Sequence, residues 1–165
     1  MHDAIITQEQ LKQLFHYNPD TGLFTRLQSK GGNFAGSIAG GTNTGGHRQI
    51  KINGRLITSH RLAYLYMTGK FPKDCIDHIN RVPDDNRWCN LRDATKGENN
   101  QNRIKLSSIN TSGYLGVHWC KRDKVFIARI NLNNVRLLLG RFDNALDAYN
   151  CYLKAKKEHH SFFVA

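Results

Sequence analysis

The chain has 165 residues, 39% of them hydrophobic and 22% charged, enough apolar material for a modest core and too little bias for a disordered tail. No apolar stretch nears the roughly 20 residues that cross a membrane, and Met1-His2-Asp3 lacks the charged-then-apolar form of a signal peptide, so a cytoplasmic protein with no membrane partner is expected. Lysine and arginine number 24 against 13 aspartate and glutamate, a net charge of +11 that points to a polyanionic partner, above all nucleic acid.

The charge is unevenly spread. Residues 1–70 carry eight basic and three acidic groups, 71–103 six of each, and 104–165 ten and four, so two basic arms flank a neutral centre that keeps carboxylates. Cys75, Cys89, Cys120 and Cys151 form no C-x-x-C pair, so free thiols are expected and no structural zinc.

In chain order, Thr7-x-x-Gln10 is a capping box, and Leu11, Leu14 and Phe15 follow at helical spacing, predicting a helix over 8–16. Asn18-Pro19-Asp20-Thr21-Gly22 is a turn, and a strand is predicted from Leu23 to Leu27. Residues 31–46 hold seven of the 14 glycines and read as a flexible loop, mobile until DNA orders it. Arg48–Ile52 and Arg55–Thr58 alternate polar and apolar residues around Asn53-Gly54, the signature of a type I′ hairpin. From Ser59 a helix carries Leu62, Ala63, Leu65 and Tyr66 on one face and ends at Gly69. Tyr64 and Tyr66 belong to packing. In the first turn Arg61 is placed to reach a phosphate, and His60 stays open between a structural and a functional role.

The centre reads Cys75-Ile76-Asp77-His78-Ile79-Asn80, a polar loop from Arg81 to Arg87, then Trp88-Cys89-Asn90-Leu91-Arg92. Short strands on either side of a loop are predicted, and Thr95-x-x-Glu98 opens a further helix bearing Asn99 and Asn102. An acid, an imidazole and a carboxamide from separate elements suit phosphodiester hydrolysis with one hard metal ion. Asp77 and Asn99 offer oxygen ligands fit for Mg²⁺, with Asn102 in reserve. His78, with an ordinary pKa of about 6.5, suits removal of a proton from an attacking water. Because neighbours on a regular strand point to opposite faces, Asp77 and His78 serve one site only where the strand ends or bulges.

Asp77-His78, Asn90 twelve positions after His78 and Asn99 nine after that resemble the H-N-N variant of the HNH nucleases, the ββα-metal or His-Me finger group, in its phage-type homing form. The wording Ile76-Asp77-His78-Ile79-Asn80, Asp85-Asn86-Arg87-Trp88-x-Asn90-Leu91-Arg92-x-Ala94-Thr95 and Asn99-x-x-Asn102 carries that resemblance. It implies His78 as general base, Asp77 and Asn99 as metal ligands, and Asn90 as the carboxamide that braces the loop and orients His78. Asn99 stands where many relatives have histidine, which favours Mg²⁺ or Mn²⁺ over zinc. No small-molecule cofactor beyond the metal is implied.

After Arg103, Gly113–Trp119, Val125–Asn131 and Val135–Phe142 read as strands separated by the turns Lys121–Lys124 and Asn131–Asn134. Asp143 is the predicted cap of a helix with Ala145, Ala148, Tyr149 and Tyr152 on one face. Tyr114-x-Gly116-Val117, Phe126-x-Ala128-x-Ile130, Leu139-Gly140-x-Phe142 and Ala145-x-x-Ala148-Tyr149 resemble the APETALA-type (ethylene-response-factor) DNA-binding domain. The resemblance implies a sheet that enters the major groove of double-stranded DNA, with His118, Lys121, Arg129, Arg136, Trp119 and Arg141 as outward contacts. Arg129 and Arg136 suit guanine, and the lysines suit phosphates. Leu115 and Leu138 depart from the plant pattern, so the plant target does not carry over. His159-His160 reads as a fraying terminus.

The expected fold class is α+β: an N-terminal region of helix, loop and β-hairpin (1–58), an HNH module (59–103), a linker (104–110) and the DNA-binding domain (111–165). The expected function is a site-preferring, metal-dependent endonuclease of phage homing type, acting as a monomer or weak dimer on DNA in a bacterial or phage-infected cytoplasm. Arg61 and Arg87 join the sheet residues as its DNA contacts. The alternatives are a DNA-binding regulator with a vestigial nuclease centre, or a general HNH nuclease for repair or packaging.

Overall fold

A computed structural model describes residues 5–133 and 135–164, so Met1-His2-Asp3 and Asn134 lie outside the described residues. The chain is α+β and forms two compact units, Met1–Thr95 and Lys96–Ala165. The first contains α1 (Gln8–Leu14), β1 (Phe15–Asn18), β2 (Leu23–Arg26), β3 (Gly41–Thr42), β4 (Arg48–Ile52), β5 (Arg55–Thr58), α2 (Ser59–Thr68), β6 (Cys75–His78) and β7 (Leu91–Ala94). The second contains α3 (Lys96–Gln101), β8 (Val117–Cys120), β9 (Val125–Leu132), β10 (Val135–Phe142) and α4 (Ala145–His159). The nuclease segment expected over 59–103 is thus shared between the units. Among the described residues no helix is long and apolar enough to cross a membrane, and all four cysteines are free thiols.

In the first unit, Thr7 and Gln10 form the reciprocal capping box that starts α1. The helix ends two residues earlier than predicted, because Phe15 and Tyr17 alternate inward with His16 outward and join β2 as an antiparallel strand. A period of two outcompetes the helical spacing where both rings gain burial. Residues 31–46 differ from the loop predicted there. Gly36 N donates to Arg26 O, Arg26 N to Ser37 O and Ala39 N to Phe24 O, which ties the segment along β2 and leads it into β3. The Asn53-Gly54 hairpin is as predicted, both residues having positive φ (48° and 80°) between the paired Ile52 and Arg55. Gly69, at φ 80°, ends α2.

The core of this unit joins Leu11, Phe24, Ile50 and Leu62 to Ile76 and Leu91 of the β6–β7 hairpin. Each fully buried Phe or Leu contributes about 1.5–3 kcal/mol. The hairpin therefore stands on the N-terminal elements. Tyr66 packs on Tyr17 and Phe24, and Tyr64 lies against Trp88 with its hydroxyl donating to Asp93, the packing role expected of both.

In the second unit three antiparallel strands in the order β10-β9-β8 pack on α4 through Val117, Ala128, Ile130, Ala148, Tyr152 and Ala155. Three details differ from prediction. The first strand begins at Val117 because Asn110 and Ser112 fold residues 110–117 into turns, the Ser112 hydroxyl donating to Val117 O at 2.8 Å. The cap of α4 is Asn144, whose side chain accepts from Asp147 N. His160 does not fray: it is buried and its Nε2 donates to Asn131 O at 3.0 Å.

Candidate active site

Strands β6 and β7 pair without a bulge, Cys75 with Ala94, Ile76 with Asp93, Asp77 with Arg92 and His78 with Leu91. Cross-strand partners share a face, so Asp77 meets Arg92 on one side of the hairpin. Arg92 closes on Asp77 Oδ2 at 2.6 and 2.8 Å and fixes a carboxylate that is only 4% exposed. His78, 6% exposed, shares the other face with Ile76 and Leu91. It is also the last residue of β6, so the chain turns away directly after it.

That turn is built by carboxamides. Asn90, at the end of a 3₁₀ turn over Trp88–Asn90, accepts from Asn80 N and donates to Asn80 Oδ1 and to Asp85 O, all between 2.7 and 2.9 Å. These bonds tie Asn90 to Asn80 and Asp85 across the loop. The bond on the His78 ring comes from Asn86, a residue given no role in the sequence reading. Asn86 Nδ2 donates to Asp84 O, which settles the amide orientation and leaves Oδ1 3.2 Å from His78 Nε2. An amide oxygen only accepts, so Nε2 carries the proton and Nδ1 is the basic nitrogen. Burial lowers the His78 pKa, partly countered by the bond to Asn86. The loop is held from outside by Arg48, bidentate on Asp84 at 2.9 and 3.1 Å, and by Tyr17.

Two further histidines stand beside His78. His47 is set by Asn43, whose Oδ1 accepts from His47 N and Gly45 N in a tight turn before β4. His60 lies in the first turn of α2, with Thr58 Oγ1 at 3.1 Å from its Nε2. Thr58 is the N-cap residue of α2, yet its hydroxyl is engaged by His60 and makes no cap hydrogen bond. The ring centroids are 5.3, 5.7 and 5.1 Å apart for the pairs 47–60, 47–78 and 60–78. The His60 pKa is pushed down to about 3, first by burial and then by repulsion from His78, His47 and Arg61. No motif spacing links 47, 60 and 78, so only the fold brings these rings together.

Residues 58–101, which span α2, the hairpin and its loop, match the family model for HNH endonuclease. This segment is an HNH endonuclease domain. No curated protein and no solved structure matches the chain. The HNH domain makes the chain a phosphodiester hydrolase acting on DNA, and nucleases of this kind generally use a divalent metal. Asn99, on the six-residue α3, is exposed and belongs to the second unit, as does the buried Asn102.

The expected DNA contacts divide in the structure. In the HNH domain, Arg61 donates through Nη1 to Asp74 O at 3.0 Å and lies against Phe71. Arg87 is half-exposed and bidentate on Asp85, holding that carboxyl down at about 2. In the second unit, register places His118, Arg129, Arg136 and Arg141 on the sheet face away from α4, with Leu138 opposite Arg129. Burial lowers the His118 pKa, and the Arg129 and Arg136 charges lower it further. Arg141 is held by Asp123 at 3.1 Å, and Lys121 is exposed in the turn after β8. Trp119 does not share that face. It has the parity of Val117 and packs against Phe126 in a tilted contact with centroids 4.7 Å apart.

Proposed function

We propose that the protein is a site-preferring DNA endonuclease of the phage homing type, with His78 as general base. The observation that carries this reading is the buried His78 ring held at Nε2 by Asn86 Oδ1, which directs its basicity to Nδ1. There it takes a proton from water as the water oxygen bonds to phosphorus and the bond to the departing sugar oxygen breaks. Asn90 braces the loop that holds Asn86, and Arg92 orients Asp77.

A metal fits Asp77, a buried carboxylate oriented by Arg92, and the resemblance adds Asn99. An oxygen donor set of this kind suits Mg²⁺ or Mn²⁺. A bound ion would supply charge neutralisation at the phosphate and the departing oxygen. In this reading the second unit, whose sequence resembles an APETALA-type domain, supplies DNA recognition through His118, Arg129 and Arg136, and Lys121 and Arg87 add phosphate contacts. The protein works as a monomer or weak dimer on DNA.

The test is incubation of the purified chain with supercoiled plasmid carrying its own flanking genomic DNA, with Mg²⁺ or EDTA, beside His78→Ala. Mg²⁺-dependent conversion to discrete nicked or linear product, lost in the variant while DNA binding is kept, is the expected result. Tight binding without cleavage under any divalent metal would move the assignment to a DNA-binding regulator. Digestion without site preference at physiological salt would leave a general nuclease.

A further inference from the structure

We propose that His47, His60 and His78 form a binding site for one late transition-metal dication of the Zn²⁺ class, and that its occupancy switches the nuclease off by engaging His78. The three side chains each offer a ring nitrogen, and these atoms lie within 4.8 Å of one another. Tetrahedral zinc with Zn–N of about 2.05 Å needs nitrogens about 3.3 Å apart, so closing on an ion shortens these separations by up to about 1.5 Å.

Two independent observations point to a ligand. His47 Nδ1 and His60 Nδ1 are buried and have no hydrogen-bond partner, and a buried polar atom left so costs about 1–3 kcal/mol. An ion held by these rings would give such unpartnered nitrogens a ligand bond. In His60 and His78 the Nε2 atoms are already placed as in metal-bound histidines, which pass their second N–H to an oxygen. His60 Nε2 has Thr58 Oγ1 at 3.1 Å, and His78 Nε2 has Asn86 Oδ1 at 3.2 Å. Thr58 forgoes its usual capping bond to serve His60.

The chemistry of three imidazoles selects the ion. Nitrogen donors favour Zn²⁺, Co²⁺, Ni²⁺ or Cu²⁺, whereas Mg²⁺ takes oxygen ligands and keeps its waters. The site is therefore separate from the one proposed for Mg²⁺ at Asp77. The inhibitory half of the proposal rests on His78 being the base, because a metal on its ring takes the lone pair that would accept the proton. The binding half does not.

The experiment titrates the metal-stripped full chain with Co²⁺, read by visible d–d absorption, and with Zn²⁺, read by calorimetry, for wild type, His47→Ala and His60→Gln. Cleavage in excess Mg²⁺ is then measured with and without one equivalent of Zn²⁺. One ion per chain with a tetrahedral Co²⁺ spectrum is expected, with affinity reduced at least tenfold in each variant that melts like wild type. His47, in a turn, is the variant expected to keep its fold in any event. Zinc should reduce the wild-type rate at least tenfold, and a zinc-selective chelator should restore it. Unchanged affinity in His47→Ala, or a thiolate-to-cobalt charge-transfer band marking a cysteine site, overturns the proposal. Metal binding by a chain that cuts no DNA under Mg²⁺ would leave the site standing and remove the nuclease reading. Cleavage unaffected by a saturated site would overturn the inhibition.

Discussion

Tyr17 and Asn86, 69 positions apart, meet in a buried 2.7 Å hydrogen bond in which the phenol donates to the Asn86 carbonyl. The same asparagine meets His78 through its side chain, so the N-terminal hairpin reaches the proposed base in two steps. Gly22 and Pro19 of the hairpin turn sit under the same loop: a Cβ on Gly22 would lie 2.4 Å from the Asn86 carbonyl carbon, and Trp88 N donates to Pro19 O. Tyr17→Phe keeps the ring and removes the donor, at a cost of about 1–3 kcal/mol. The expected result is a lower denaturant midpoint and a slower cleavage rate with DNA affinity kept. A stability loss with an unchanged rate per folded molecule would show that the clamp has no part in positioning His78.

Asn86 selects the His78 tautomer, and its variants separate that role from packing. Asn86→Ala should slow cleavage at least about tenfold, within the 10²–10⁴ range that a positioned general base contributes. Asn86→Asp retains an acceptor at the same place and should recover much of the loss. Equal loss in both variants, with unchanged melting, would argue against the tautomer role.

The Asn53-Gly54 hairpin, α2 and the spaced Asp77, His78, Asn90 motif were legible because each rests on local chemistry: a type I′ turn, a helix stop or a motif within a few tens of residues. What escaped was produced by distance. Phe15 and Tyr17 entered a strand because Phe24 and Tyr66 lay ready to bury them. The glycine-rich segment was fixed by backbone bonds to β2 that no composition signals. Asn86 was part of the quoted motif, but its carboxamide gained meaning only when Asp84 fixed its orientation. His47 shares no spacing with His60 and His78, so their triangle was invisible in the sequence.

The buried histidines predict a pH dependence of stability. His60 binds its proton at about 3 in the folded chain and at 6.5 when unfolded. Between these values the unfolded chain holds the extra proton, so stability is full above about pH 6.5 and falls as pH drops toward 3. One proton corresponds to about 1.4 kcal/mol per pH unit. The Asp85 carboxyl, held at about 2, acts in the same sense only below its ordinary 3.8, which leaves pH 4–6.5 to the histidines. Urea unfolding in EDTA across that range should give a steep slope for wild type, shallower by about one proton in His60→Gln. An identical slope would remove the burial of His60 as its cause.

Two glycines of the second unit separate backbone strain from steric overlap. Gly113 and Gly116 have nearly the same φ, 76° and 75°. A Cβ on Gly113 meets nothing within 4 Å, whereas one on Gly116 would lie 2.2 Å from the ring of Tyr152, the residue that anchors α4 to the sheet. Gly113→Ala should cost about 1–2 kcal/mol, the penalty of a left-handed backbone for a residue with a side chain. Gly116→Ala adds overpacking, for a total of about 3–5 kcal/mol. Because Arg129 N donates to Gly116 O at 2.9 Å, the displaced backbone also pulls on the strand that carries the proposed base-reading arginine. DNA affinity measured by fluorescence anisotropy should therefore drop in Gly116→Ala and survive in Gly113→Ala. Equal affinity in two folded variants would place DNA recognition away from this sheet.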